Sequence, residues 1–159
     1  MRREHWAAAP ADHDYPAAER YLGLVMDESA AAATVHAMRR TKAATQRVND
    51  VLRASRLPLL AASEPEVAKN MKKVRKGMQL SPVLLVRGDP TIDRPLIIAD
   101  GYHRVCASYQ LDPDELVSCV LVDLATAPAT RSTATRPAPP RARSAATRTA
   151  RTHATRARR

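Results

Sequence analysis

The sequence predicts an α+β domain: a small mixed sheet of about four short strands, with N-terminal helices packed against it and a disordered C-terminal tail. Three observations predict it. Short apolar runs bounded by Pro, Gly and Asp recur in the middle of the chain, where Val83-Leu84-Leu85-Val86 and Leu96-Ile97-Ile98-Ala99 suit buried strands. Before them, Val67, Met71, Val74 and Met78 fall at the spacing of one helical face. From residue 125 onward the composition narrows to Ala, Thr, Arg, Pro and Ser with one His, which cannot bury enough apolar surface to offset the cost of ordering the chain.

The 159 residues leave room for one domain. The formal net charge of +10 is unevenly placed: nine of the 26 Lys and Arg stand from residue 125 onward, where there is no Asp or Glu, and the 17 before it face 16 acids. The basic character therefore belongs to the tail. With one Trp, four Tyr and no Phe, the core has to be built from Leu, Val, Ile, Ala and Met. No apolar run reaches the roughly 18 residues of a membrane span, and no apolar stretch of signal-peptide length follows the charged start. Cys106 and Cys119 fit a reducing compartment and provide no disulfide framework. The expectation is a soluble, cytoplasmic protein with no membrane partner.

In order along the chain, residues 1–15 are polar and alanine-rich and read as a loose arm. Residues 16–26 suit a first helix, with Pro16 near its start and Tyr21, Leu22 and Val25 on one side. Asp27, Glu28 and Ser29 offer caps for a second helix to about residue 39. A third helix is expected over 41–53, with Val48, Val51 and Leu52 as its apolar stripe. Residues 16–56 thus read as a helical extension, a packing layer or lid, ahead of a domain spanning 57–124. Leu57-Pro58-Leu59-Leu60 suits a short edge strand. Ser63-Glu64-Pro65-Glu66 has capping-box spacing, with Ser63 accepting from the first turn and Glu66 reaching back, and Gly77 marks that helix's end. A turn-rich stretch, 87–94, joins the two central strands as a hairpin-like pair. A helix follows over 102–111, Asp112-Pro113-Asp114-Glu115 breaks it, and 117–122 is the last strand.

The candidate chemistry lies at Asp100-Gly101-Tyr102-His103-Arg104, between a strand and a helix start. Free N–H groups at a helix N-terminus favour an anion, and glycine lets one approach. Arg104 offers a two-pronged contact to phosphate, and His103 a further donor or a proton-transfer group. The alternative is a purely structural turn with a surface His and a solvated Arg. Asp100 is the nearest carboxylate; it either contacts Mg²⁺ or shapes the turn. Asp100 and His103 are the catalytic candidates. Lys69 and Lys73, one helical turn apart, either lean toward the cradle or belong, with Lys72, Arg75 and Lys76, to a solvated face. Cys106 reads as a core residue, and the five His show no metal-ligand spacing. The tail's arginines either suit sequence-independent binding of nucleic acid, with no aromatic residue among them for base stacking, or belong to a drifted C-terminus that matters little to function.

The pentapeptide from Asp100 to Arg104, followed by Ala107 and Tyr109, resembles the G-x-H/R-R-x-x-A box of the ParB/sulfiredoxin-like superfamily. Residues 67–86 are similar to that family's helix, turn, Pro and strand, and 116–122 resembles its closing strand. The resemblance covers roughly residues 57–124. It implies a small nucleotide-binding α+β fold with Gly101, Tyr102, His103 and Arg104 around the phosphates and contacts from the Lys69 and Lys73 helix. It also implies ATP or CTP with Mg²⁺ as the ligand, without choosing the base, and allows hydrolysis or phosphoryl transfer. Tyr102 stands where sulfiredoxins carry their reactive cysteine, which argues against sulfinic acid reduction. No helix-turn-helix reader is legible after Asp123. Three functions remain open: a protein binding a nucleotide or phosphorylated small molecule, a nucleic-acid-associated protein acting through its tail, and an interaction module for an unidentified protein partner.

Overall fold

The computed structural model describes residues 5–125; the Arg-rich segment read as a disordered tail lies outside the described residues. In chain order the elements are α1 (Asp14–Leu22), α2 (Glu28–Arg40), β1 (Ala44–Arg47), α3 (Val48–Ser55), α4 (Pro65–Arg75), β2 (Val83–Val86), a 3₁₀ turn (Pro90–Ile92), β3 (Ile97–Asp100), α5 (Tyr102–Leu111) and β4 (Leu116–Val122). The sheet runs β1-β4-β2-β3. β2 is parallel to β4, while β1 and β3 are the antiparallel outer strands. This is the mixed α+β sheet expected, with helices on both faces.

Strand periodicity divides the core in two. Val83 and Leu85 of β2 turn toward α3, α4 and α5, where they join Val51, Leu52, Val67, Met71, Val105, Cys106, Val117 and Cys119. Leu84 and Val86 turn to the other side and pack with Tyr15, Ala18, Leu22, Ala31, Val35 and Met38 of α1 and α2. All four β2 side chains are buried, which explains an apolar run with no polar alternation. Residues 16–56 are therefore no separate lid. They supply two helices to one face, one helix to the other, and the edge strand β1.

Several local expectations are corrected. The arm is pinned from residue 5: Trp6 is buried, the Leu80 N–H donates to His5 O at 2.6 Å and the Ala7 N–H to Leu80 O at 2.8 Å. The first helix stops at Leu22 with Gly23 as its cap, leaving Leu24 and Val25 exposed; its buried face is Tyr15, Ala18 and Leu22. The expected third helix begins only at Val48, because Ala44–Arg47 pairs with β4 in the register Ala44 opposite Cys119. Tertiary pairing overrides local propensity there. Residues 57–60 form no strand. The Pro58 carbonyl accepts from the Tyr102 hydroxyl, and the Leu60 carbonyl from Gln110 Nε2 at 2.9 Å, so α5 side chains take the place of a ladder.

At α4 the cap is Glu64, not Ser63: its Oε2 accepts from the Val67 N–H at 2.8 Å, and Pro65 occupies the first turn, where its missing N–H costs nothing. Glu66 pairs forward with Lys69 at 3.3 Å instead of reaching back. Val67, Met71 and Val74 face the core as their spacing predicts, but Met78 lies beyond the helix and is exposed. No helix among the described residues is long and apolar enough to cross a membrane.

Replacing Glu64 with Ala should lower the unfolding free energy by about 0.5–2 kcal/mol, whereas Ser63→Ala should stay within about 0.5 kcal/mol. Urea unfolding followed by circular dichroism distinguishes the two, and a larger loss at Ser63 would move the cap back to the capping-box position.

Candidate functional site

β3 ends at Asp100 and α5 begins at Tyr102, so Gly101 alone makes the turn, with φ 101° and ψ 18°. That left-handed conformation favours glycine, and space demands it too. A Cβ at Gly101 would fall 2.5 Å from Val83 Cγ1, 2.8 Å from Arg104 Nη2 and 3.0 Å from Arg104 Nε. The guanidinium of Arg104 therefore lies directly over the turn. No side chain caps α5 and its first turn holds no acid, so its leading N–H groups lack intrahelical partners.

Arg104 is not the free, solvent-facing group that the sequence suggests. Its Nη2 donates to Asp100 Oδ2, and its Nη1 lies 3.4 Å from both carboxylate oxygens of Asp14, the first residue of α1. The three side chains are 14%, 23% and 3% exposed in the order Arg104, Asp100, Asp14. Asp14 also accepts from the Ser81 hydroxyl, which in turn accepts the Ala11 N–H at 2.9 Å. His13 Nε2 lies 3.4 Å from Asp14 Oδ1. Arg104 Nε is buried without a partner. Two carboxylates thus share one guanidinium. Asp100 is held above the ordinary carboxylate value, chiefly by burial; Arg104 pulls it down and Asp14 pushes it up.

A cleft of about 230 Å³ opens beside the turn, lined by Glu66, Asn70 and Lys73 of α4 and by Asp100, Gly101, His103 and Arg104. A second cleft of about 320 Å³ shares Asn70, Lys73 and Arg104 with it and extends to His13, Gln79, Ser81 and the Ala7–Ala11 segment. The second falls at the lower end of the roughly 300–1,000 Å³ range of small-molecule sites, and the first is smaller. His103 is half-exposed, with Nε2 3.8 Å from Glu64 Oε2.

Of the residues singled out from sequence, the structure brings Asp100, Gly101, His103, Arg104 and Lys73 to one cleft. Lys69 is exposed and paired with Glu66, and is not among the residues lining that cleft. Tyr102 packs against the α3–α5 side of the core, with its hydroxyl on the Pro58 carbonyl. As a Mg²⁺ ligand Asp100 fits poorly, since its Oδ2 is already taken by Arg104 Nη2. Among the described residues no group of three or more His, Cys, Asp and Glu is gathered for a metal. Cys106 is fully buried, and burial raises its thiol above the ordinary value, as suits a core residue. Sequence reasoning missed Asp14, Ser81 and Asn70. Asp14 and Arg104 are 90 residues apart, and no local pattern links them.

Because its pKa is raised on folding, Asp100 stabilises the fold below about its ordinary value of 3.8 and loses that contribution as pH rises through the folded value. The stability of Asp100→Asn relative to the native chain should therefore rise as pH climbs from 3.8 and then level off. Urea unfolding at a series of pH values checks this; a difference that falls with pH would reverse the sign.

No family model, curated protein or solved structure matches the chain, so the site stands on its own geometry.

Proposed function

We propose that this protein binds a phosphorylated ligand, a nucleotide, at the turn between β3 and α5, as a ParB/sulfiredoxin-like domain. The carrying observation is the uncapped N-terminus of α5, entered through a left-handed Gly101 and opening on a cleft that holds Lys73 and His103. Backbone N–H groups and the helix dipole favour negative charge at that point, and Lys73 and His103 add side-chain donors from two elements. Support for the family comes from the box at Gly101, His103 and Arg104 and from the order of helix, strand, strand, helix and strand from α4 to β4. ATP or CTP remains the ligand class. Mg²⁺ enters only as the nucleotide's own counterion, since among the described residues the carboxylates at the turn are paired with Arg104 or Lys69. The two cysteines, unpaired and buried, suit the cytoplasm.

A second function rests on a different observation: the nine arginines without a single acid from residue 125 onward. They suit sequence-independent contact with nucleic acid phosphates.

Calorimetry of the full chain with a panel of nucleoside triphosphates tests both. Saturable binding of at least one is expected. Lys73→Ala or His103→Ala should weaken it by about tenfold, the loss of one charge-assisted hydrogen bond, while Lys69→Ala should leave it unchanged. No heat across the panel would sink the nucleotide assignment. Binding to duplex DNA that falls steeply with salt and ignores Lys73→Ala would favour the tail.

A further inference from the structure

We infer that Asp14 competes with the bound anion for Arg104, so that a buried carboxylate on α1 sets how tightly the β3–α5 turn holds its ligand. This rests on the phosphorylated-ligand function proposed above and concerns the regulation of that same site.

The two contacts of Arg104 are unequal. Asp100 holds Nη2 closely, whereas Nη1 sits 3.4 Å from each Asp14 oxygen, at the weak end of hydrogen bonding. The guanidinium already lies over Gly101, beside the first N–H groups of α5. Nη2 and Nε are the guanidinium atoms nearest Gly101, so Nη1 would have to leave Asp14 and turn about the Asp100 contact to reach an anion resting on those groups. Arg104 also lines both clefts, so it stands between the Asp100 and His103 side and the His13 and Ser81 side. Its Nε is buried without a partner.

Charge favours the exchange. An anion entering the turn meets Asp14 and Asp100 against Arg104 and Lys73, with Glu66 already paired to Lys69. With Arg104 held by two buried carboxylates, Lys73 and His103 are left to offset the newcomer's charge without the guanidinium's share. Release from Asp14 supplies that share. Asp14 is not stranded by it, because the Ser81 hydroxyl still donates to it and His13 Nε2 lies 3.4 Å away. Ser81 and Ala11 tie Asp14 to the segment leading into α1, so ligand affinity is coupled to how that segment is seated.

The test is calorimetry on the full chain, with inorganic pyrophosphate and ATP as probes, comparing native protein with Asp14→Asn. The variant should bind about fivefold more tightly or better, the lower bound of ordinary coupling between sites. A merely structural role for Asp14 predicts equal or weaker binding, and that result would overturn the competition while leaving the nucleotide function standing. Native protein that binds neither probe would remove the site itself, and the competition with it. Should Asp14→Asn fail to fold, guanidinium-detected NMR on the native chain decides. The Arg104 Nη and Asp14 Cγ resonances should move together with one midpoint as pyrophosphate is added; resonances that stay fixed while the probe saturates would contradict the exchange.

Discussion

Everything at the functional end of this fold depends on one guanidinium held between two carboxylates. Arg104 joins the end of β3, through Asp100, to the start of α1, through Asp14. The sheet separates α1 from α5, and their apolar contacts fall in different core clusters. The ionic contact links the layers where hydrophobic packing does not. Such a link is costly to break at Arg104, since its loss leaves two buried carboxylates without their shared cation. It also fixes the turn, because the guanidinium occupies the space a side chain at residue 101 would need.

The same clamp reshapes what the turn can do. A free arginine would make the cradle strongly attractive to any phosphate. With Arg104 shared, the attraction falls to the α5 amides, Lys73 and His103, and the two carboxylates hold the local charge near neutral. The raised pKa of Asp100 is the signature of that crowding: burial and Asp14 together outweigh the pull of Arg104. The turn is thus tempered from within by the segment that carries Asp14.

What could be read from the chain divides by range of interaction. β2 and α5 are written locally, the first as four apolar residues in a row and the second as a glycine turn followed by an uninterrupted helix-compatible run, and both appear where expected. β1 is not written locally: Ala44–Arg47 is exposed at every position and becomes a strand only because β4 lies beside it. The Glu64 cap was hidden behind a stronger-looking serine one residue earlier, and Pro65 settles the boundary by fitting only the first turn. At the site, Gly101 and His103 could be placed from the turn itself. Asp14 could not, because an acid at the start of a helix is common for local reasons and its partner lies 90 residues away.

The central claim is that Asp14 and Arg104 act as one unit in the folded chain. A double-mutant cycle on unfolding free energy, with Asp14→Asn, Arg104→Gln and both together, measures it most directly. The two substitutions should be coupled by about 1–3 kcal/mol, as expected of groups in one buried network. Effects that add to within about 0.3–0.5 kcal/mol would show two independent residues, and the clamp would not exist.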